Sequence, residues 1–153
     1  MKILDILLGK KKTFTHSVLG VLTSDRIKGN NQTKKYSWFG SVKINNYTKE
    51  TFIVAEGNNI TPSNSQLESI SEIVNNWENK YLNLIDEKIK MQKINQKPKF
   101  ANWKTDFYLG QITPLDDKKS HFELTIEPIN KNETDFIGIE IDNNKVTKIE
   151  IYK

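Results

Sequence analysis

Three consecutive segments near the C-terminus, HFELTIEPI (121–129), FIGIEID (136–142) and KVTKIEIY (145–152), alternate apolar and polar residues. Their polar positions include His121, Glu123, Glu127, Glu140, Lys148 and Glu150. Carboxylates brought side by side on neighbouring strands can act as an acid/base pair, and with an imidazole they can ligate a divalent metal. The same spacing suits half-buried antiparallel strands, whose outward positions are polar for solvation alone. There Lys148 would pair with glutamates across the strands. The residues therefore define a candidate interaction surface, with no catalytic residue, metal ligand or cofactor site assigned. A second candidate is a cleft lined by Trp103 and Tyr108, where an indole and a phenol could stack on a small ligand. Trp103, between Phe100 and Phe107, is read first as capping the core, with the cleft as the alternative. The Asp116-Asp117 pair in PLDDKKS reads as a hairpin turn.

The elements that would position these residues show in the hydrophobic periodicity. VLGVLTS (18–24), YSWFGSVKI (36–44) and TFIVAE (51–56) alternate with period two and read as a three-stranded antiparallel meander, with turns at 28–33 and Asn45-Asn46. Leu67, Ile70, Val74, Trp77, Tyr81, Leu84 and Ile85 recur at steps of three and four, predicting one long amphipathic helix. It starts near Thr61-Pro62, or at Ser63 with Gln66 as a capping box, and runs toward Met91 or Ile94. Strands follow at 107–112, 121–129, 136–142 and 145–152. Asn143-Asn144 between the last two is a type I′ turn signal, since Asn tolerates positive φ. The expected fold is α+β, an antiparallel sheet with one long helix packed on it, in the order β-β-β-α-β-β-β-β. One domain spans 1–153: a short N-terminal segment (1–12), strands (13–56), helix (61–95) and strands (107–153).

Within 36–44, Trp38 and Phe39 are neighbours and must point to opposite faces of a strand. Tyr36, Trp38, Val42 and Ile44 share the core face, leaving Phe39 beyond it with Ser37, Ser41 and Lys43.

Composition narrows the function classes. Cysteine is absent, which excludes disulfides, thiolate metal sites and cysteine nucleophiles and agrees with a cytoplasmic location. No phosphate-binding glycine loop, G-x-S-x-G elbow or H-E-x-x-H helix occurs, and His16 and His121 are the two histidines. The net charge of +4 suggests nucleic acid, but Arg26 is the one arginine among 23 basic residues. Arginine is the side chain favoured for bidentate phosphate and guanine contacts. With five Asn-Asn pairs as well, the basicity reads as compositional drift. A nucleic-acid strip would need Lys10 to Lys12, Lys34, Lys35 and Lys43 beside Tyr36 and Phe39. In MKILDILLGKKK the apolar run is broken by Asp5 and is too short for a membrane span or signal peptide. It is expected to pack Ile3, Leu4, Leu7 and Leu8 on the domain; a weak membrane-surface anchor is the alternative.

Leu19-Gly20 with Leu22, then Trp38, Gly40 and Val42, then a helix carrying Trp77, then Phe122-Glu123 and Gly138-Ile139-Glu140 follow one another from about residue 18 to 152. This order resembles small bacterial families of unknown function, some of which look like immunity proteins of toxin systems. Family members often show an aromatic residue and a His in the penultimate strand; this chain has Phe136-Ile137-Gly138-Ile139 there and no His. The resemblance carries over no catalytic residues and implies no established activity; the lack of catalytic motifs fits a non-enzymatic protein-binding module of immunity type, with a protein partner. The reading from another class is a small-ligand binder or enzyme using a cleft between helix and sheet.

Overall fold

The structure, a computed structural model, describes residues 3–44, 47–116 and 120–153. The expected turn at Asn45-Asn46 and the second member of the Asp116-Asp117 pair lie outside the described residues. The alternating segments form eight strands: β1 (Thr13–His16), β2 (Gly20–Ser24), β3 (Tyr36–Val42), β4 (Thr51–Gly57), β5 (Phe107–Pro114), β6 (His121–Pro128), β7 (Phe136–Asp142) and β8 (Lys145–Tyr152). They lie side by side in chain order in one sheet, every neighbouring pair antiparallel except β4 and β5, which run parallel. A parallel pair needs a crossover of a dozen residues or more, and the helical region between β4 and β5 supplies it.

The α+β class therefore stands, with a different element order. Four strands precede the crossover instead of three, because TFTH (13–16) pairs with β2 through Thr13↔Thr23 and Phe14↔Leu22. Four residues with one large apolar side chain give too little alternation to read. The hairpin is closed by His16, whose Nδ1 accepts from the N–H groups of Val18 and Leu19 at 3.2 and 3.3 Å. Gly20 follows at φ +72, so the strand expected from Val18 begins two residues later.

The single long helix is also corrected. It comprises α2 (Asn64–Asn75), a π-helical turn (Trp77–Tyr81) and α3 (Leu82–Met91). Trp77, Tyr81, Ile85 and Ile89 are all buried at successive four-residue steps. On a regular α-helix each such step advances the stripe by about 40° around the axis. The wide turn, in which Tyr81 N–H bonds to Asn76 O, takes up part of that drift and keeps the stripe on the sheet. α3 ends at Met91, Lys93 adopts the left-handed conformation at φ 58, and short helical turns follow at Ile94–Gln96, Pro98–Phe100 and Trp103–Asp106. The capping box does not form. Gln66 Oε1 instead accepts the Glu56 N–H at 2.7 Å, which ties the helix start to β4.

One face of the sheet carries the core. Trp38, Ile53, Ile112, Leu124 and Ile139 are fully buried there, against Leu67, Ile70, Tyr81 and Ile85 from the helices. Burial of each such side chain contributes about 1.5–3 kcal/mol. Trp77 Nε1–H donates to Tyr47 Oη, and the Tyr81 hydroxyl donates to the Glu72 carboxylate beside Asn144 Oδ1 at 3.1 Å. Asn143 and Asn144 hold φ 49 and 62, the pair of positive values that the type I′ turn requires.

The N-terminal segment departs from expectation. α1 (Ile3–Leu8) buries no residue: Ile3, Leu4, Leu7 and Leu8 point to solvent, and Asp5 faces the domain, bonded to Arg26 at 3.0 Å. Among the described residues, no helix is long and apolar enough to cross a membrane.

Candidate functional site

All helices of the crossover lie on one side of the sheet, so the other side is an uncovered face built by the alternate residues of eight strands. The register joins them into rows. Thr113, Glu123, Glu140 and Lys148 are successive partners across β5 to β8, and Gln111, Thr125, Gly138 and Glu150 form the adjacent row. The alternating residues of 121–152 thus reach one surface because β6, β7 and β8 are hairpin neighbours. His121, Glu123, Glu127, Glu140, Lys148 and Glu150 are all on it.

Its electrostatics are uneven. Glu123 and Glu140 are direct cross-strand partners, an arrangement of like charges that costs stability. Lys148 offsets it on one side, at 3.4 Å from Glu140 and 2.9 Å from Glu150. Hydrogen bonding to Glu150 is the main influence on the Lys148 ammonium and holds it above the ordinary lysine range, while the same contact holds the Glu150 carboxyl low. His121 Nδ1 lies 2.8 Å from Asp116, and its Nε2 is 3.9 Å from Glu140. Glu123 has no ion-pair partner among the described residues. Nor do the described residues hold three His, Asp or Glu side chains disposed to bind a metal ion.

Two glycines let larger groups lie flat on this face. A Cβ at Gly138 would meet the Tyr152 ring at 2.4 Å and Glu123 Oε1 at 3.0 Å. Tyr152 stacks on its cross-strand partner Phe136, ring centroids 4.9 Å apart. Gly110, at the β5 bulge, is covered by the Glu127 side chain, whose carboxylate accepts the Tyr108 hydroxyl at 2.8 Å. Toward β1, the face carries fewer charges, with Glu56 beside phenylalanine, valine and threonine. Phe39 stacks on Phe52 at 6.0 Å, and Val21 and Phe52 are 57% and 41% exposed. The two aromatic stacks were not legible in the sequence, since each joins side chains through a register that alternation alone does not fix.

The second candidate site is not assembled as expected. Trp103 is buried in the core, with its Nε1–H donating to Asp86 Oδ1 at 3.2 Å. Burial pushes the Asp86 carboxyl up, but hydrogen bonds from Lys104, Lys90 and Trp103 outweigh it and hold the group below its ordinary range. Tyr108 lines a groove of about 530 Å³ with Tyr47, Lys49, Glu78 and Leu82, and Trp103 does not reach it. The larger concavity, about 670 Å³, runs from Pro98 and Lys99 to Ile129 and Glu133. Neither groove is lined by a histidine; in the larger one the Thr105 hydroxyl lies 3.2 Å from the adjacent Asp106 Oδ1 and 3.0 Å from Asn102 O. Of the residues named for a nucleic-acid strip, Tyr36 is buried on the core face with Lys34 Nζ 5.2 Å from its ring centroid, and Phe39 is on the other face.

Two phenols set the alkaline limit of the fold. Burial, and then the adjacent Glu72, push the Tyr81 hydroxyl far above its ordinary value. Burial and Glu127 push Tyr108 up to about 12. The folded state thus keeps protons that the unfolded chain releases near pH 10. The stabilisation is fully present below about pH 10 and is lost as the pH rises through the folded-state values. Melting temperatures measured from about pH 9 to 12 should fall, and less steeply for Tyr81→Phe than for the parent. Parallel slopes would show that Tyr81 does not contribute.

Compared with known proteins, the chain matches no family model, no curated protein and no solved structure.

Proposed function

We propose that the chain is a non-enzymatic protein-binding module whose recognition surface is the uncovered face of the sheet. The observation that carries this reading is the combination on one face of stacked aromatics with a like-charge pair, Glu123 against Glu140, that Lys148 offsets from the Glu140 side alone. Eight strands about 4.8 Å apart and four to eight residues long present on the order of 700 Å². One partner's share of a standard-size interface is about 800 Å². Aromatic residues supply contact area at low entropic cost, and acidic residues select a partner by charge.

The partner fitted by this face is a protein with a basic surface. Lysine or arginine side chains delivered between Glu123, Glu140 and Glu150 would relieve the repulsion that the free chain carries. Occlusion of a basic groove in this way is the action of an immunity-type inhibitor, and that is the role we assign. Surface complementarity suffices for it.

The experiment is affinity capture from native lysate, at low and moderate salt, with the parent chain and two variants. Glu140→Lys/Glu150→Lys alters the proposed face, and Glu87→Lys alters the exposed side of α3. The expected result is one stoichiometric basic protein bound by the parent and by Glu87→Lys and lost with the double variant. A partner held equally by all three would place recognition elsewhere.

A further inference from the structure

α1 is amphipathic in the wrong sense for a helix that packs on its own domain. At about 100° per residue, Ile3, Leu4, Ile6, Leu7 and Leu8 form one broad arc with Asp5 opposite its centre. Asp5 is turned inward to Arg26, and the five apolar residues are between 53% and 75% exposed. Single exposed apolar side chains need no explanation, but five within six residues form a contiguous patch of the kind that marks an interaction site.

The helix is nonetheless fixed to the domain. Arg26 Nη1 donates to Gly9 O at 2.9 Å as well as to Asp5, and Lys28 Nζ donates to Leu7 O at 3.0 Å. Lys10 and Ile27 exchange backbone hydrogen bonds at 3.0 and 2.8 Å. At Gly9, φ is +86 and a Cβ would lie 2.3 Å from Ile27 O, so glycine alone allows this close seating. Polar tethers therefore hold an apolar knob outward.

The collar around the knob is basic. Lys10 and Lys11 follow it directly and are exposed, Arg26 and Lys28 flank its base, and Asp5 is neutralised by Arg26. We propose that α1 and this collar form a docking site for an anionic lipid surface. The apolar arc enters the boundary between headgroups and acyl chains, while the lysines meet the lipid charge. One short apolar helix binds weakly by itself, and the basic collar supplies the second signal that stable attachment requires. The charge of the collar favours a lipid surface over an apolar groove on a second copy, which would carry the same positive charge.

The test is co-sedimentation of the full chain with vesicles of phosphatidylcholine, with and without about one-third phosphatidylserine, at low and moderate salt. Binding to the anionic vesicles is expected, weakening as salt rises. Leu4→Ser/Leu7→Ser should lower the bound fraction at least tenfold, and Lys10→Glu/Lys11→Glu should lower it by roughly fivefold or more per lysine. All four positions are exposed, so unchanged melting temperatures will show that the variants fold. Absence of vesicle binding by the parent, or equal binding by the Leu4→Ser/Leu7→Ser variant, would overturn the proposal. Self-association abolished by that variant, without vesicle binding, would overturn it in favour of a second copy.

Discussion

Trp38→Ala should lower the unfolding free energy by about 4 kcal/mol, while Phe39→Ala should lower it by about 1 kcal/mol. The two residues are adjacent and similar in size, and the difference lies wholly in what covers them. Trp38 is fully buried, its Nε1–H reaching Asn58 O at 3.3 Å, so truncation leaves a cavity and an unmade hydrogen bond. Phe39 is half-buried on the uncovered face, where Phe52 stacks on it and no second layer closes over the pair. Its loss removes one ring contact and opens no cavity. Urea unfolding of both variants, with slopes unchanged from the parent, measures the two values. Equal losses would mean that the face is covered in solution.

Gly57→Ala should cost about 3 kcal/mol, whereas Gly110→Ala should stay near 1 kcal/mol. Each added methyl would meet a neighbour at less than 3.0 Å, but the neighbours differ in kind. At Gly57 they are Thr61 O at 2.3 Å and Pro62 Cα at 2.5 Å, backbone atoms of the turn that carries β4 into α2. Gly57 pairs with Pro62 in an isolated bridge, and Ser63 N–H bonds to Glu56 O, so the turn cannot open without releasing the helix start. At Gly110 the clash is with the end of the Glu127 side chain, which can rotate away. That rotation breaks the bond to Tyr108, so Gly110→Ala should also bring the Tyr108 phenol down toward its ordinary value. Thermal or urea melts separate the two glycines; a cheap Gly57→Ala would show that the β4–α2 turn is plastic.

Local patterns were readable where one residue's environment depends on its near neighbours. Alternation identified β3 to β8 within a few residues, and Asn143-Asn144 announced its turn because positive φ is a property of the residue itself. The three- and four-residue stripe identified the helix. The π-helical turn stayed hidden because a four-residue step from Trp77 to Tyr81 suits an α-helix equally well. The parallel junction of β4 and β5, set by Phe52↔Gln111 and Ile53↔Ile112, was beyond reach. It joins residues some sixty positions apart, and nothing local encodes the pairing.

The same division holds at the candidate site. His121, Glu123, Glu127, Glu140, Lys148 and Glu150 could be named from alternation, since polar residues at every second position must share a face. That Glu123 opposes Glu140, that Glu127 folds over Gly110, and that Phe136 stacks on Tyr152 each depend on register. The uncovered state of the face depends on where the crossover helices settle, which is a tertiary fact. In α1 the periodic reading misassigned the apolar arc. Whether a short apolar helix turns inward depends on its tethers, here Arg26 on Asp5 and Lys28 on Leu7 O, and these lie some twenty residues away.

Recognition of a basic protein by the uncovered face of the sheet is the function we propose. The most direct test is the dissociation constant of the captured partner for the parent chain, for Glu140→Lys/Glu150→Lys and for Glu87→Lys, at equal salt. A loss of at least a hundredfold for the double variant, with Glu87→Lys within a few-fold of the parent, is the predicted result. A double variant that binds as tightly as the parent, while Glu87→Lys weakens the complex, would move recognition to the helical side and contradict the account.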